Sequence, residues 1–151
     1  MKWKFIKDKG LILEENPNII LLFDQPRQII RQQLLFNPTK NKGRADSEDD
    51  YQNLFDISNN WVRLGFDNDE LFEIEILDGK VNVNDITVQT QANLSDTLNA
   101  LKRDGFHFVK GCYSHTDFNA MIDIGDSYLN GGEENYVRWF YTAKNFDHLL
   151  T

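Results

Sequence analysis

One cysteine, three prolines and two methionines occur in 151 residues, and each scarcity narrows the possibilities. A lone Cys112 forms neither an internal disulfide nor a thiolate metal cluster, so stapled secreted scaffolds and cysteine-rich zinc modules are excluded. No apolar run approaches the roughly 20 residues that cross a bilayer. Residues 1–10, with Lys2, Lys4, Lys7 and Lys9 spread through them, lack the apolar segment of a secretory signal. A soluble, cytoplasmic protein is expected. No long Pro/Gly/Ser stretch divides the chain, so a single domain is expected over residues 1–151. No period recurs, which argues against solenoids and propellers. What the chain does have is apolar bulk: 40% hydrophobic and 13% aromatic residues, with eleven Phe, enough to offset chain entropy and to argue against disorder.

Basic residues are scarcest where acid is densest. The formal charge of −8 divides into +5 over residues 1–45 (nine Lys/Arg, four Asp/Glu), −11 over 46–101 (two, thirteen) and −2 over 102–151 (five, seven). In the middle segment only Arg63 and Lys80 oppose the carboxylates. Such a field repels phosphate backbones and attracts basic proteins, so direct nucleic-acid binding is not expected. The alternative account is a solvated surface that keeps the protein soluble.

Periodicity gives a coarse order of elements. Residues 3–6, 11–13 and 19–23 read as short strands around the turn at Asn16, Pro17 and Asn18. Asp24 stands where a helix N-cap would, with Pro26 in the first turn and Ile29, Ile30, Gln33 and Leu34 at helical spacing, predicting a helix near 26–36 that Asn37 and Pro38 end. Residues 37–50 lack apolar periodicity and read as a mobile loop. Strict alternation over 61–66 and 71–77, split by Asp67, Asn68, Asp69 and Glu70, predicts a β-hairpin with Phe72, Ile74 and Ile76 toward the core and Glu73 and Glu75 toward solvent. Asp78 and Gly79 read as a tight turn before short strands at 81–83 and 86–88. A second helix is expected from about Asn93, with Leu94, Leu98 and Leu101 on one stripe and Gly105 as its C-terminal cap. Strands at 106–109, 118–124 and 136–141 and a short closing helix at 144–150 complete the chain. The fold class expected is α+β: an antiparallel β-sheet of about five or more strands with two or three packed helices.

Candidate chemical motifs are incomplete. Cys112 and His115 on an irregular stretch have no third orienting group in view, so a buried thiol is favoured over a nucleophile. His107, between Phe106 and Phe108, is expected on the surface. The acidic turns at Asp67–Glu70 and at Asp123, Gly125 and Asp126 lack the spacing and the closing Glu of a calcium loop and read as hairpin turns. Residues 130–134 carry two glycines but no following helix with a Lys, so they read as a loop and not a phosphate cradle. No catalytic residue, cofactor or metal is expected. Trp139 and Tyr141 share a parity opposite Arg138, and periodicity leaves open which face is buried.

The succession of strands, helix, loop, the hairpin Trp61-Val-Arg-Leu-Gly-Phe-Asp-Asn-Asp-Glu-Leu-Phe-Glu-Ile-Glu-Ile76, a short strand pair, a Leu-rich helix ending at Gly105 and closing strands resembles a group of small bacterial proteins. That group includes immunity proteins of polymorphic-toxin and contact-dependent growth-inhibition systems. The resemblance spans about residues 10–141 and is most specific over 62–105. It implies a noncatalytic inhibitor that binds and neutralises a cognate toxin domain, often a nuclease, by covering its functional surface. Such proteins recognise toxins through variable surfaces, so the resemblance assigns no contact residue. Charge supplies the candidates instead: the loop cluster Asp46, Glu48, Asp49 and Asp50, the hairpin tip Asp67, Asp69 and Glu70, and the strand face Glu73 and Glu75, all expected to point outward toward a basic partner. Two other readings stay open: a small enzyme using clustered carboxylates or the Cys112–His115 region, and a ligand-binding regulatory domain with a carboxylate-rich or aromatic pocket.

Overall fold

A computed structural model of the chain describes residues 1–35, 38, 46–124 and 136–149. Twelve strands among these residues form two sheets. The first contains β1 (Lys2–Ile6), β2 (Gly10–Leu13), β3 (Ile20–Leu22), β7 (Lys80–Val83) and β8 (Ile86–Gln89), in the order β3-β2-β1-β7-β8. The second contains β4 (Glu48–Gln52), β5 (Trp61–Asp67), β6 (Glu70–Asp78), β9 (Phe106–Val109), β10 (Cys112–His115), β11 (Ala120–Asp123) and β12 (Trp139–Ala143), in the order β4-β5-β6-β12-β11-β10-β9. Neighbours are antiparallel except β1 and β7, which run parallel with Trp3 opposite Val81.

The α+β expectation holds in coarse form, but sheet dominates. The helices α1 (Arg27–Leu34) and α2 (Leu98–Asp104) have eight and seven residues. Both are shorter than expected for a stated reason. Asp24 takes a positive φ of 69° and its carboxylate pairs with Lys144 at 2.7 Å, so it caps nothing and α1 starts after Pro26. Asn93 accepts the Ser95 amide at 2.8 Å, closing a local turn, and the helix proper begins only at Leu98. Gly105 does end α2, at a φ of 124°, its amide donating to the Leu101 carbonyl.

Two corrections concern the acidic middle segment. Residues 48–50 are not loop; they belong to β4, an edge strand paired with β5. Asp78 and Gly79 do not close a hairpin either. Gly79, at a φ of 147°, redirects the chain from β6 in the seven-stranded sheet into β7 of the other, a backbone conformation that L side chains rarely adopt. The stretch containing Cys112 and His115, expected to be irregular, is β10. The turn at residues 123–126 is described only through Ile124, and residues 130–134 lie outside the described residues.

The hairpin β5–β6 forms as expected, its tip at Asn68 and Asp69 with φ of 51° and 59°. Two positive φ angles in a two-residue loop match the twist of the strands they join. Ile74 and Ile76 are fully buried, whereas Phe72 is half-buried. The register shifts between Gly65 and Phe66, so Phe66 opposes Leu71 and Gly65 opposes Glu73. Phe72 is the extra residue of a bulge, and Leu71 takes the core position that parity predicted for it.

Side chains of both sheets and of both helices share one contiguous core. Phe5 of β1 meets Phe118 and Phe140 at ring-centroid distances of 5.1 and 5.9 Å, distances typical of favourable aromatic pairs. Ile30 and Leu34 bring α1 onto this core. Gln33 on the same helix accepts the Ile20 amide and donates to the Ile20 carbonyl, satisfying backbone groups of the edge strand β3.

Candidate functional site

Alternation along β4, β5, β6, β12, β11 and β10 turns one set of side chains to the core and the other to the outer face of the seven-stranded sheet. Register lines the outer set up in lateral rows. One row runs Asp50, Arg63, Glu75, Tyr141, Met121 and Ser114. A second runs Glu48, Gly65, Glu73 and Ala143. A third runs Trp139, Asp123, Cys112 and Val109. The middle of this face is a cavity of about 330 Å³, lined by Glu73, Glu75, Cys112, Met121, Asp123, Trp139 and Tyr141, with His148 and Leu149 from the last 3-10 turn.

The polar groups here are organised. Tyr141 donates its hydroxyl to Glu73 Oε2, and His148 Nε2 lies 2.8 Å from the same hydroxyl oxygen. Burial and the Glu73 carboxylate both push the Tyr141 phenol far above its ordinary value, so it stays a donor. A Cβ at Gly65 would stand 2.4 Å from Glu73 Cγ, so the missing side chain provides the space in which Glu73 lies. Arg63 stands between Asp50 and Glu75, with Nε 2.9 Å from Asp50 Oδ1 and Nη1 3.6 Å from Glu75 Oε2, and its guanidinium lies 5.3 Å from the Trp61 ring. Arg138 repeats the arrangement, with Nε 3.4 Å from Asp123 Oδ1 and its guanidinium 4.3 Å from the Trp139 ring. The face holds its own guanidiniums between carboxylates and indole rings.

The nine acidic candidates separate into three environments. Glu48, Glu73 and Glu75 reach the outer face, although Glu73 and Glu75 are half-buried and hydrogen-bonded or ion-paired, not simply solvated. Asp67, Asp69 and Glu70 form the exposed hairpin tip, and Asp46 is exposed in the turn before β4. Asp49 and Asp50, expected to point outward, are each 1% exposed. Placing them in a strand explains it: Asp50 is covered by Arg63, while Asp49 faces the opposite side of β4 and meets α1. There Arg27 and Arg31 each grip it through two nitrogens, at 2.6 and 3.3 Å and at 2.7 and 2.8 Å. Burial alone would raise the Asp49 pKa, but the hydrogen bonds from Arg31 and Arg27 outweigh it and hold the carboxyl below its ordinary value.

Cys112 and His115 do not cooperate. Three residues apart on β10, they face opposite sides of the sheet. Burial, then Asp123, pushes the Cys112 thiol up to about 12, so it is protonated at neutral pH and a poor nucleophile. His115 stacks on Phe118 at 3.5 Å. Its Nδ1 accepts the Asp117 amide, which puts the ring proton on Nε2, 2.8 Å from the Asp104 carbonyl at the end of α2. This histidine ties a helix end to the sheet. Among the described residues no cluster of three or more His, Cys, Asp or Glu is arranged to hold a metal ion, and no helix is long and apolar enough to cross a membrane.

Periodicity missed Arg63, Asp123, Met121 and His148 as parts of this face. The shared parity of Trp139 with Tyr141 and of Glu73 with Glu75 was visible, but nothing local says that β12 pairs with β6. Compared with protein-family models, curated proteins and solved structures, the chain matches none.

Proposed function

We propose that the protein is a cytoplasmic immunity protein that binds a cognate toxin domain, a basic nuclease, and neutralises it by covering its functional surface. The observation that carries this reading is the gathering of Glu48, Glu73, Glu75 and Asp123 with Trp139 and Tyr141 on one sheet face. A nuclease must be basic where it holds nucleic acid, and an acidic face replaces phosphate contacts with carboxylate contacts to Lys and Arg. The half-buried Trp139 ring amid those carboxylates supplies an apolar anchor of the kind that dominates protein interfaces. The raised Cys112 pKa and the structural bonding of His115 favour an inhibitor over an enzyme built on those residues.

The test begins with the neighbouring gene, which should encode a large protein ending in a basic domain. Expressing that domain should arrest cell growth, and co-expressing the present chain should restore it through a complex that survives gel filtration. If no such neighbour exists, or co-expression neither restores growth nor yields a complex, the immunity reading fails. The cavity supports a second reading, a module for a small organic cation, which would bind its ligand with no protein partner.

A further inference from the structure

We infer that the cavity on the outer face of the seven-stranded sheet receives one arginine side chain of a basic protein partner. The inference deepens the immunity reading, on which it rests for the identity of the protein that carries the arginine. Three features point to this occupant. The volume, about 330 Å³, lies at the low end of ligand pockets, which span roughly 300–1,000 Å³, and suits a single side chain. The walls are of two kinds: Met121, Trp139 and Leu149 offer apolar surface for an aliphatic stem, and Glu73, Glu75 and Asp123 offer carboxylates for its head. No Lys or Arg lines the cavity among the described residues. An anion is therefore repelled.

Arginine is favoured over lysine by what the same surface does with its own side chains. Arg63 and Arg138 each lie over an indole ring while bonding to a carboxylate. Stacking and planar bidentate bonding are guanidinium properties that a compact, strongly hydrated ammonium lacks. Trp139 links the second of these arrangements to the cavity, since its ring meets Arg138 and also lines the cavity.

The experiment titrates the intact protein with N-acetyl-arginine N-methylamide and follows backbone amide and indole signals by two-dimensional NMR. The blocked lysine and norleucine amides and free arginine are run in parallel. Binding of one side chain should be weak, with a dissociation constant on the order of millimolar. Shifts should centre on Glu73, Glu75, Met121 and Trp139, and the lysine amide should bind several-fold more weakly. Glu75→Gln and Trp139→Leu should each weaken the arginine amide by about tenfold, while Glu14→Gln, in the turn after β2 of the five-stranded sheet, should leave it unchanged. Circular dichroism and thermal unfolding verify that the variants are folded; with two independent variants, one that unfolds leaves the other to decide.

Norleucine amide binding as well as the arginine amide would overturn the inference, because the cavity would then be merely apolar. Shifts elsewhere, or none at all, would also overturn it. So would binding of free arginine without the blocked amide, which would make the cavity a metabolite site and not a docking site. The titration needs no toxin. Failure of growth rescue with successful titration therefore removes the immunity reading alone, and the reverse result removes the arginine pocket alone.

Discussion

Asp49 shows how a carboxylate can be acidic in composition yet unavailable to a partner. Two guanidiniums from one helix face converge on it, and its own burial is outweighed by their hydrogen bonds. Replacing Asp49 with Asn should destabilise the protein by about 3 kcal/mol, the low end of what breaking a buried pair costs, since Arg31 remains partly hydrated; urea unfolding at neutral pH measures it. The sign of the accompanying pH effect follows from the direction of the shift. A depressed folded pKa means that the Asp49 contribution is complete above the ordinary carboxylate value of about 3.9 and is lost as pH falls from there toward the lower folded value. The wild type should therefore lose more stability than the Asn variant across that acidic window; equal loss would show that the pair contributes nothing. Ile74 is a simpler case. It is fully buried on β6, and Ile74→Ala should cost about 2–5 kcal/mol through lost burial and the cavity left behind, read from the same unfolding curves.

Strand β6 makes the element-scale argument. It pairs with β5 on one side and β12 on the other, carries a bulge at Phe72, and hands the chain to the other sheet at Gly79. The bulge lets Leu71, Ile74 and Ile76 all reach the core despite unequal spacing, while Phe72 moves toward the His148 ring, 5.3 Å away. Alternation predicted the strand and two of its core residues; it missed the bulge because a bulge is a relation between two strands. A Cβ at Gly79 would stand 3.3 Å from Ile76 Cγ2, a tight contact with the end of a side chain, and the φ of 147° is strained for any L side chain. Gly79→Val should thus cost about 1–3 kcal/mol through backbone strain. Gly79→Ala should cost a similar amount, since the strain comes from the backbone; a thermal melt unchanged in both variants would show that the crossing between sheets tolerates an ordinary conformation.

For the whole molecule, the consequence of the −11 segment depends on where folding puts its carboxylates. The hairpin tip, the turn at Asp46 and the outer sheet face remain accessible, whereas Asp49 and Asp50 are consumed internally. Charge reversal at Asp46, at Asp67 or at Glu48 therefore samples three separate regions without touching the Arg27–Asp49–Arg31 cluster. With the toxin domain proposed above as partner, the variant in the dominant region should associate about threefold or more slowly at low salt and show a flatter dependence on ionic strength, because accessible charges act mainly on the on-rate. Stopped-flow association at two salt concentrations distinguishes the regions. If all three variants match the wild type in rate and salt slope, the acidic field serves solubility and takes no part in recognition.

The hairpin over 61–66 and 71–77, the C-terminal stop of the second helix at Gly105 and the turn between the two strands were legible because each depends on neighbours within a few residues: alternation, a cap, a run of turn residues. Strand β4 was not legible, since Glu48, Asp49 and Asp50 have no apolar period and become strand residues only where β5 offers backbone partners and Arg27, Arg31 and Arg63 offer charge. The cavity was equally hidden. Glu73 and Glu75 meet Tyr141, Met121, Asp123 and Trp139 through pairings that join residues distant in the chain, and Gly65 makes room for Glu73 only once β5 lies beside β6. Composition set the total charge, but long-range register divided it between ion pairs inside the fold and carboxylates on its outer face and hairpin tip.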